Sequence, residues 1–185
     1  MTKFILHGGG EGGGDESHDA FFKEIINSLP KNGGKILCVY FAVPDELVKE
    51  KHKVYEEYFK RNNLFGKDIE LKIASKENFM EELRWADAVY FRGGDTEMLL
   101  EQIKKYSEFK KELLKKDVVA GSSAGVYFLS EWAFSSSRDY IYEGLGILPI
   151  KSNCHYKKRK DLSRLDDLSG ELLTLEEGEY RVINN

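Results

Sequence analysis

The sequence predicts an α/β protein built on a doubly wound, mostly parallel sheet with helices on both faces. Three observations carry that expectation. Strand-like apolar runs alternate with helical patterns from the first residues onward. Each apolar run ends in a loop of small or polar residues. Neither an internal repeat nor a long linker divides the 185 residues. One domain over residues 1–185 is expected, because 41% hydrophobic and 12% aromatic content suffices for one substantial core.

The elements follow in order. Lys3 to His7 reads as the first strand and stops at a glycine-rich loop. A helix near His18 to Leu29 leads to a second strand, Lys35 to Phe41. The highly charged pattern Glu46 to Asn62 predicts another helix, and Glu70 to Ile73 a third strand. A helix over Lys76 to Trp85 precedes strand Ala88 to Phe91. A longer helical pattern, Thr96 to Leu114, broken near Ser107, then precedes strand Val118 to Gly121. The remainder reads as a helix from Gly125 to about Trp132, an irregular segment Phe134 to Tyr142, a basic helix near Lys157 to Leu168, and a closing hairpin across Glu177 and Gly178. The loops after the strands matter most, because open α/β sheets place ligands at the carboxyl ends of their strands.

Charge narrows the class of partner. With 28 basic against 32 acidic residues the formal net charge is −4, which gives no electrostatic footprint for nucleic acid or an anionic membrane. No apolar run approaches the roughly 20 residues of a membrane span, and the N-terminal residues lack the organisation of a signal peptide. Cys38 and Cys154 make no disulfide framework, so a soluble protein in a cytoplasmic setting is expected.

The densest chemical signal is Gly121-Ser122-Ser123-Ala124-Gly125, where a β-branched run meets a turn and then an apolar helix. This is the pattern of a nucleophile elbow. A serine hydroxyl attacks a carbonyl only if it projects clear of a sharp turn, with backbone N–H groups near enough to receive the oxyanion. Ser123 is the candidate nucleophile and the Ala124 amide one oxyanion donor; the alternative is a strand-to-helix turn whose glycines and serines only cap the helix. Arg92-Gly93-Gly94-Asp95-Thr96 closes the fourth strand and offers a second donor, or else an N-cap by Asp95 or Thr96. The glycine run from Gly8 to Gly14 lacks both the Gly-Lys-Ser/Thr ending and the dinucleotide spacing, and its acids Glu11, Asp15 and Glu16 would repel phosphate. It reads as a flexible loop beside the site.

Four histidines compete for the role of base. His52 lies on a charged helix and reads as solvated, and His18 starts a helix. His7 ends a core strand, while His155 stands at the same predicted sheet edge as Ser123. Cys154 reads as inert, with no third ligand at metal-site spacing.

Three separated motifs then agree. Phe91-Arg92-Gly93-Gly94-Asp95-Thr96, Gly121-Ser122-Ser123-Ala124-Gly125, and Gly144-Leu145-Gly146-Ile147-Leu148-Pro149 followed by Asn153-Cys154-His155-Tyr156 together resemble the serine peptidase family of dipeptidase E (α-aspartyl dipeptidase) and cyanophycinase. The resemblance runs from the first strand nearly to the last residue. It implies a fold similar to the class I glutamine amidotransferases, with serine in place of cysteine at the elbow. It matches Ser123 to the nucleophile, His155 to the general base, and Gly94 and Ala124 to the oxyanion donors. For the acid that orients the histidine it favours Asp139, one residue out of register, with Glu177 as competitor. Arg159 and Arg164 match two of three arginines that follow the cyanophycinase histidine. Asp161 replaces the other, and Asn153 and Cys154 stand where cyanophycinases carry aspartate and glutamine. A small-peptide hydrolase therefore fits better than a polymer hydrolase, with Arg159, Arg164 and Thr96 as candidate substrate contacts.

The expectation is thus a serine peptidase acting on short peptides, including those with N-terminal Asp, without metal or organic cofactor, as a monomer or homodimer. Another acyl hydrolase such as an esterase, or a noncatalytic binding protein on the same scaffold, are the alternatives.

Overall fold

The structure is a computed structural model that describes residues 1–10, 16–157 and 161–184. Its core is a sheet in the order β10-β1-β5-β4-β2-β3, formed by β1 (Lys3–His7), β2 (Gly33–Val39), β3 (Asp68–Ile73), β4 (Ala88–Phe91), β5 (Val118–Ser122) and β10 (Tyr180–Asn184). All neighbours in it are parallel except β10, which runs antiparallel to β1.

Because side chains alternate across a strand, each central strand serves two cores. Phe4, Leu6, Val89, Phe91 and Val119 point to one face. There they pack on α3 (Phe79–Trp85), α4 (Thr96–Ile103), α5 (Phe109–Leu113) and α6 (Ala124–Leu129). Ile5, Ile36, Cys38, Tyr90 and Ala120 point to the other, against α1 (Asp19–Ser28) and α2 (Val48–Asn62), where Phe22 stacks on Tyr58 at 4.6 Å between ring centres. Helices cover both faces, as the alternation of strands and helices predicts.

A second sheet, in the order β7-β6-β8-β9, abuts the α6 side of the first. It comprises β6 (Ser130–Ser135), β7 (Tyr140–Glu143), β8 (Leu148–Cys154) and β9 (Glu171–Leu175), and it corrects three expectations. Helix α6 stops at Leu129, not Trp132, because Ser130 becomes extended (φ −68°, ψ 162°) and enters the second sheet opposite Leu148. The segment Phe134 to Tyr142 is not irregular, since β6 and β7 pair antiparallel from Trp132 with Glu143 to Ser135 with Tyr140. Finally, β9 and β10 do not form a hairpin across Glu177: β9 pairs with β8 and β10 with β1, so the chain crosses from one sheet to the other there.

The basic helix over Lys157 to Leu168 is a fourth correction. Where described, this stretch holds only a single 3₁₀ turn, Ser163–Leu165. Among its described residues only Leu165 is buried, so no apolar stripe favours a helix there. Carbonyls that a helix would use internally are drawn to the Lys151 ammonium instead, Leu165 at 2.7 Å and Leu168 at 3.0 Å. Among the described residues no helix is long and apolar enough to cross a membrane.

Candidate active site

The carboxyl end of β5 delivers Ser123 into a sharp turn. Its φ of 49° and ψ of −105° lie outside the regions open to ordinary L-residues, a strain that neighbouring contacts must hold. The Ser123 amide donates to the His7 carbonyl at 3.0 Å, and the Ser123 carbonyl accepts from Val126 at 2.8 Å and Tyr127 at 3.0 Å as α6 begins. Gly125 permits the close packing of this helix on β4, since a Cβ there would lie 2.3 Å from the Phe91 carbonyl oxygen.

The end of β8 brings His155 to the same point. Its Nε2 lies 2.9 Å from Ser123 Oγ, and its Nδ1 lies 2.9 Å from Oε1 of Glu177, on the crossing between β9 and β10. His155 also has a positive φ, 53°, and its amide donates to the Gly8 carbonyl at 3.1 Å. Gly9 makes room for the ring: a Cβ there would sit 2.3 Å from His155 Cε1. Gly9 and Gly10, after β1, thus form a wall of the site, tied to the acid's loop by Gly178 N–H donating to Gly9 O at 3.2 Å.

The acid favoured from sequence lies elsewhere. Asp139 pairs with Arg164 at 2.7 Å, in the turn between β6 and β7, and so meets Arg164 rather than His155. With Arg164 held there and its guanidinium 5.3 Å from the Phe134 ring centre, it is not among the residues lining the cavity beside Ser123. Arg159 lies outside the described residues.

That cavity, about 460 Å³, is lined by Ser123, His155, Gly93, Gly94 and buried Thr96, together with two arginines that sequence reasoning left unassigned, Arg92 and Arg138. The Arg92 guanidinium donates from Nε to Tyr55 OH at 3.0 Å and from Nη1 to the Gly93 carbonyl at 2.6 Å. Arg138 donates to Asp95 Oδ2 at 2.8 Å. Asp95 is also the N-cap of α4, its Oδ1 accepting from the Glu97 and Met98 amides at 2.9 and 3.1 Å. Burial alone would push the Asp95 carboxyl up, but the Arg138 hydrogen bond, helped by those amides, holds it below the usual carboxylate range.

The other histidines are engaged differently. His7 Nδ1 accepts the Gly9 N–H at 3.2 Å and lies 3.3 Å from Ser122 Oγ, so its ring addresses Ser122 rather than Ser123. His7 Nε2 meets His18 Nδ1 at 3.3 Å, both rings being buried. His52 is half-buried rather than solvated: Tyr40 OH lies 3.0 Å from its Nδ1, and burial lowers its pKa. Buried Cys154 packs its Sγ 3.9 Å from the Ser123 carbonyl. Tyr127, also missed from sequence, braces the approach to His155: its hydroxyl accepts from the Cys154 amide at 3.1 Å and donates to the Cys154 carbonyl at 3.2 Å. Arg92 stands inside a motif that the sequence singles out, whereas Arg138 and Tyr142, which also lines the cavity, belong to the segment that reads as irregular.

Comparison with known proteins agrees with this fold. No curated protein matches the chain by sequence. Among solved structures, a peptidase from an acI-B1 Actinobacterium is similar with a TM-score of 0.72 at 20% identity, over 100% of this chain and 84% of that one. A putative peptidase E protein from Listeria monocytogenes EGD-e is similar with a TM-score of 0.67 at 16% identity, over 100% of this chain and 98% of the other. At such identities the likeness is one of fold, and it matches the parallel sheet flanked by helices. The profile of peptidase family S51 matches residues 4–183, so the chain belongs to that family and is a serine peptidase of the dipeptidase E type.

Proposed function

We propose that the chain hydrolyses short peptides through an acyl-enzyme on Ser123, with His155 as general base, Glu177 as the acid that orients it, and the Gly94 and Ala124 amides as oxyanion donors. The observation that supports this most is the continuous line from Glu177 through His155 to Ser123, with both contacts at 2.9 Å. In the first half-reaction His155 Nε2 takes the Ser123 proton as Oγ bonds to the peptide carbonyl carbon. The carbonyl electron pair moves to oxygen and is held by the two amides. Collapse of that intermediate breaks the C–N bond while His155 returns the proton to the leaving amine. Water, deprotonated by His155, then attacks the ester, and Ser123 leaves with the proton.

An acidic N-terminal residue is the preferred substrate feature. Arg138 lines the cavity, and its guanidinium, which already donates from Nη2 to Asp95, carries further N–H groups for a second carboxylate. A carboxylate entering it can take a charge-assisted hydrogen bond from that guanidinium. The side chain is thus given to Arg138 in place of Arg159 and Arg164, and Arg92 stays with the Gly93 carbonyl.

The test is a screen of dipeptides and small esters with wild type and Ser123→Ala, together with labelling by a serine-directed phosphonate. Turnover of dipeptides, faster for Asp-initiated ones, with a single label on Ser123 is expected. Labelling of Ser122, or turnover that survives Ser123→Ala, overturns the assignment. Equal rates on Asp- and Ala-initiated dipeptides remove the acidic preference alone.

A further inference from the structure

The two central residues of the turn that presents the Gly94 N–H, Gly93 and Gly94, have no side chains of their own to hold it. β4 ends at Phe91, the Arg92 amide donates to the Val39 carbonyl at 3.0 Å, and the Asp95 amide donates to the Ala42 carbonyl at 2.8 Å. Between these anchors lie two glycines. A Gly–Gly peptide plane is easy to rotate, because neither residue has a Cβ to restrict it. A larger residue does not fit at Gly94, where a Cβ would sit 2.2 Å from the Ala42 carbonyl oxygen, and is crowded at Gly93, where a Cβ would sit 3.2 Å from Ser123 Cβ and 3.1 Å from the Ser122 carbonyl oxygen.

We infer that Arg92 is a positioning residue that sets the direction of the Gly94 N–H by gripping the carbonyl at the other end of the same peptide plane. The bond between Gly93 and Gly94 is trans, so the Gly93 C=O and the Gly94 N–H point in opposite directions. Arg92 Nη1 donates to that carbonyl at 2.6 Å. Rotation of the plane would break a charge-assisted hydrogen bond, so the N–H stays aimed away from the guanidinium. The guanidinium is itself fixed: Nε donates to buried Tyr55 OH at 3.0 Å, and its carbon lies 5.7 Å from the Tyr55 ring centre. A positive charge on the carbonyl also polarises the amide and strengthens its N–H as a donor to a developing oxyanion. Arg92 thus acts through Gly94, without touching the reacting atoms, and the effect appears in the transition state and not in substrate binding.

The inference rests on the proposed Ser123 chemistry, and the experiment separates the two. Wild type, Arg92→Gln, Arg92→Lys and Tyr55→Phe are compared on aspartyl and alanyl p-nitroanilides and for affinity toward an aspartyl boronate, whose tetrahedral adduct places an oxygen at the oxyanion position. Near-ultraviolet circular dichroism and urea unfolding establish that each variant is folded. Arg92→Gln is expected to lower kcat about 10–100-fold on both anilides with KM nearly unchanged, and to weaken the boronate by a similar factor. Arg92→Lys should recover part of the loss, and Tyr55→Phe should show the same pattern on a smaller scale. Unchanged kcat in the Arg92 variants overturns the inference. So does a loss confined to the aspartyl anilide, which would make Arg92 a partner of the substrate side chain. So does a kcat loss without weakening of the boronate. A wild type that neither turns over the anilides nor takes a phosphonate on Ser123 overturns the Ser123 chemistry and this inference together.

Discussion

Two residues decide how well His155 is aimed, and each makes a separate prediction. Glu177 meets Nδ1 at 2.9 Å, but its side chain is 64% exposed. Water screens such a contact, so its removal should cost less than the roughly 10⁴-fold seen when the buried acid of a chymotrypsin-type triad is replaced by its amide. Glu177→Gln should lower kcat by about 10²-fold, while Asp139→Asn, which loses only the ion pair with Arg164, should leave kcat within about twofold. Steady-state kinetics on one dipeptide checks both, and the reverse order would restore Asp139. Gly9 acts by absence. With a methyl group 2.3 Å from His155 Cε1, Gly9→Ala must displace the ring or the loop. A shift near 1 Å in a reacting group costs on the order of 10²-fold. The loss should fall on kcat, and the rate of phosphonate labelling of Ser123 should drop in parallel.

At the scale of elements, α4 links the oxyanion turn to the cavity wall, because its N-cap Asp95 also holds Arg138. The Asp95 carboxyl is held below its ordinary value, so the stabilisation it provides is complete above about pH 3.9 and is lost as pH falls through the lowered value in the folded state. Asp95→Asn keeps a capping oxygen but loses the charge. Its deficit in urea unfolding, roughly 0.5–1 kcal/mol near neutral pH, should shrink below about pH 4. A deficit independent of pH would mean that the charge contributes nothing. Elements whose own residues carry a period were legible in the sequence: β1 and β4 were read residue for residue, and the break near Ser107 separates α4 from α5. The failures share a cause. β6 is largely buried without a clean alternation and β7 is four residues long and half-covered, so their pairing is fixed by the second sheet rather than by local pattern. Ser123 and His155 sit in motifs, so they could be seen. Glu177 is one acid among several in a turn, placed by the partners of β9 and β10, which lie far away in sequence.

The whole molecule explains why the three groups meet. Ser123 leaves the first sheet at the end of β5, His155 leaves the second at the end of β8, and Glu177 lies where the chain returns from the second sheet to the first. The site is therefore a seam between two sheets, and its geometry depends on how firmly they are packed. Leu175, fully buried at the end of β9, belongs to the core that joins them and stands two residues before Glu177. Ile36, equally buried, belongs to the core on the opposite face, with α1 and α2. Truncation of either to alanine removes similar apolar volume and should cost about 2–5 kcal/mol in urea unfolding. Their effects on catalysis should differ. Leu175→Ala loosens the seam and should lower kcat, counted per site titrated with phosphonate, by about 10-fold. Ile36→Ala should leave that kcat unchanged, because the elements it supports do not position His155 or Glu177. Equal losses of kcat in the two variants would show that the site responds to global stability and not to the packing of one sheet on the other.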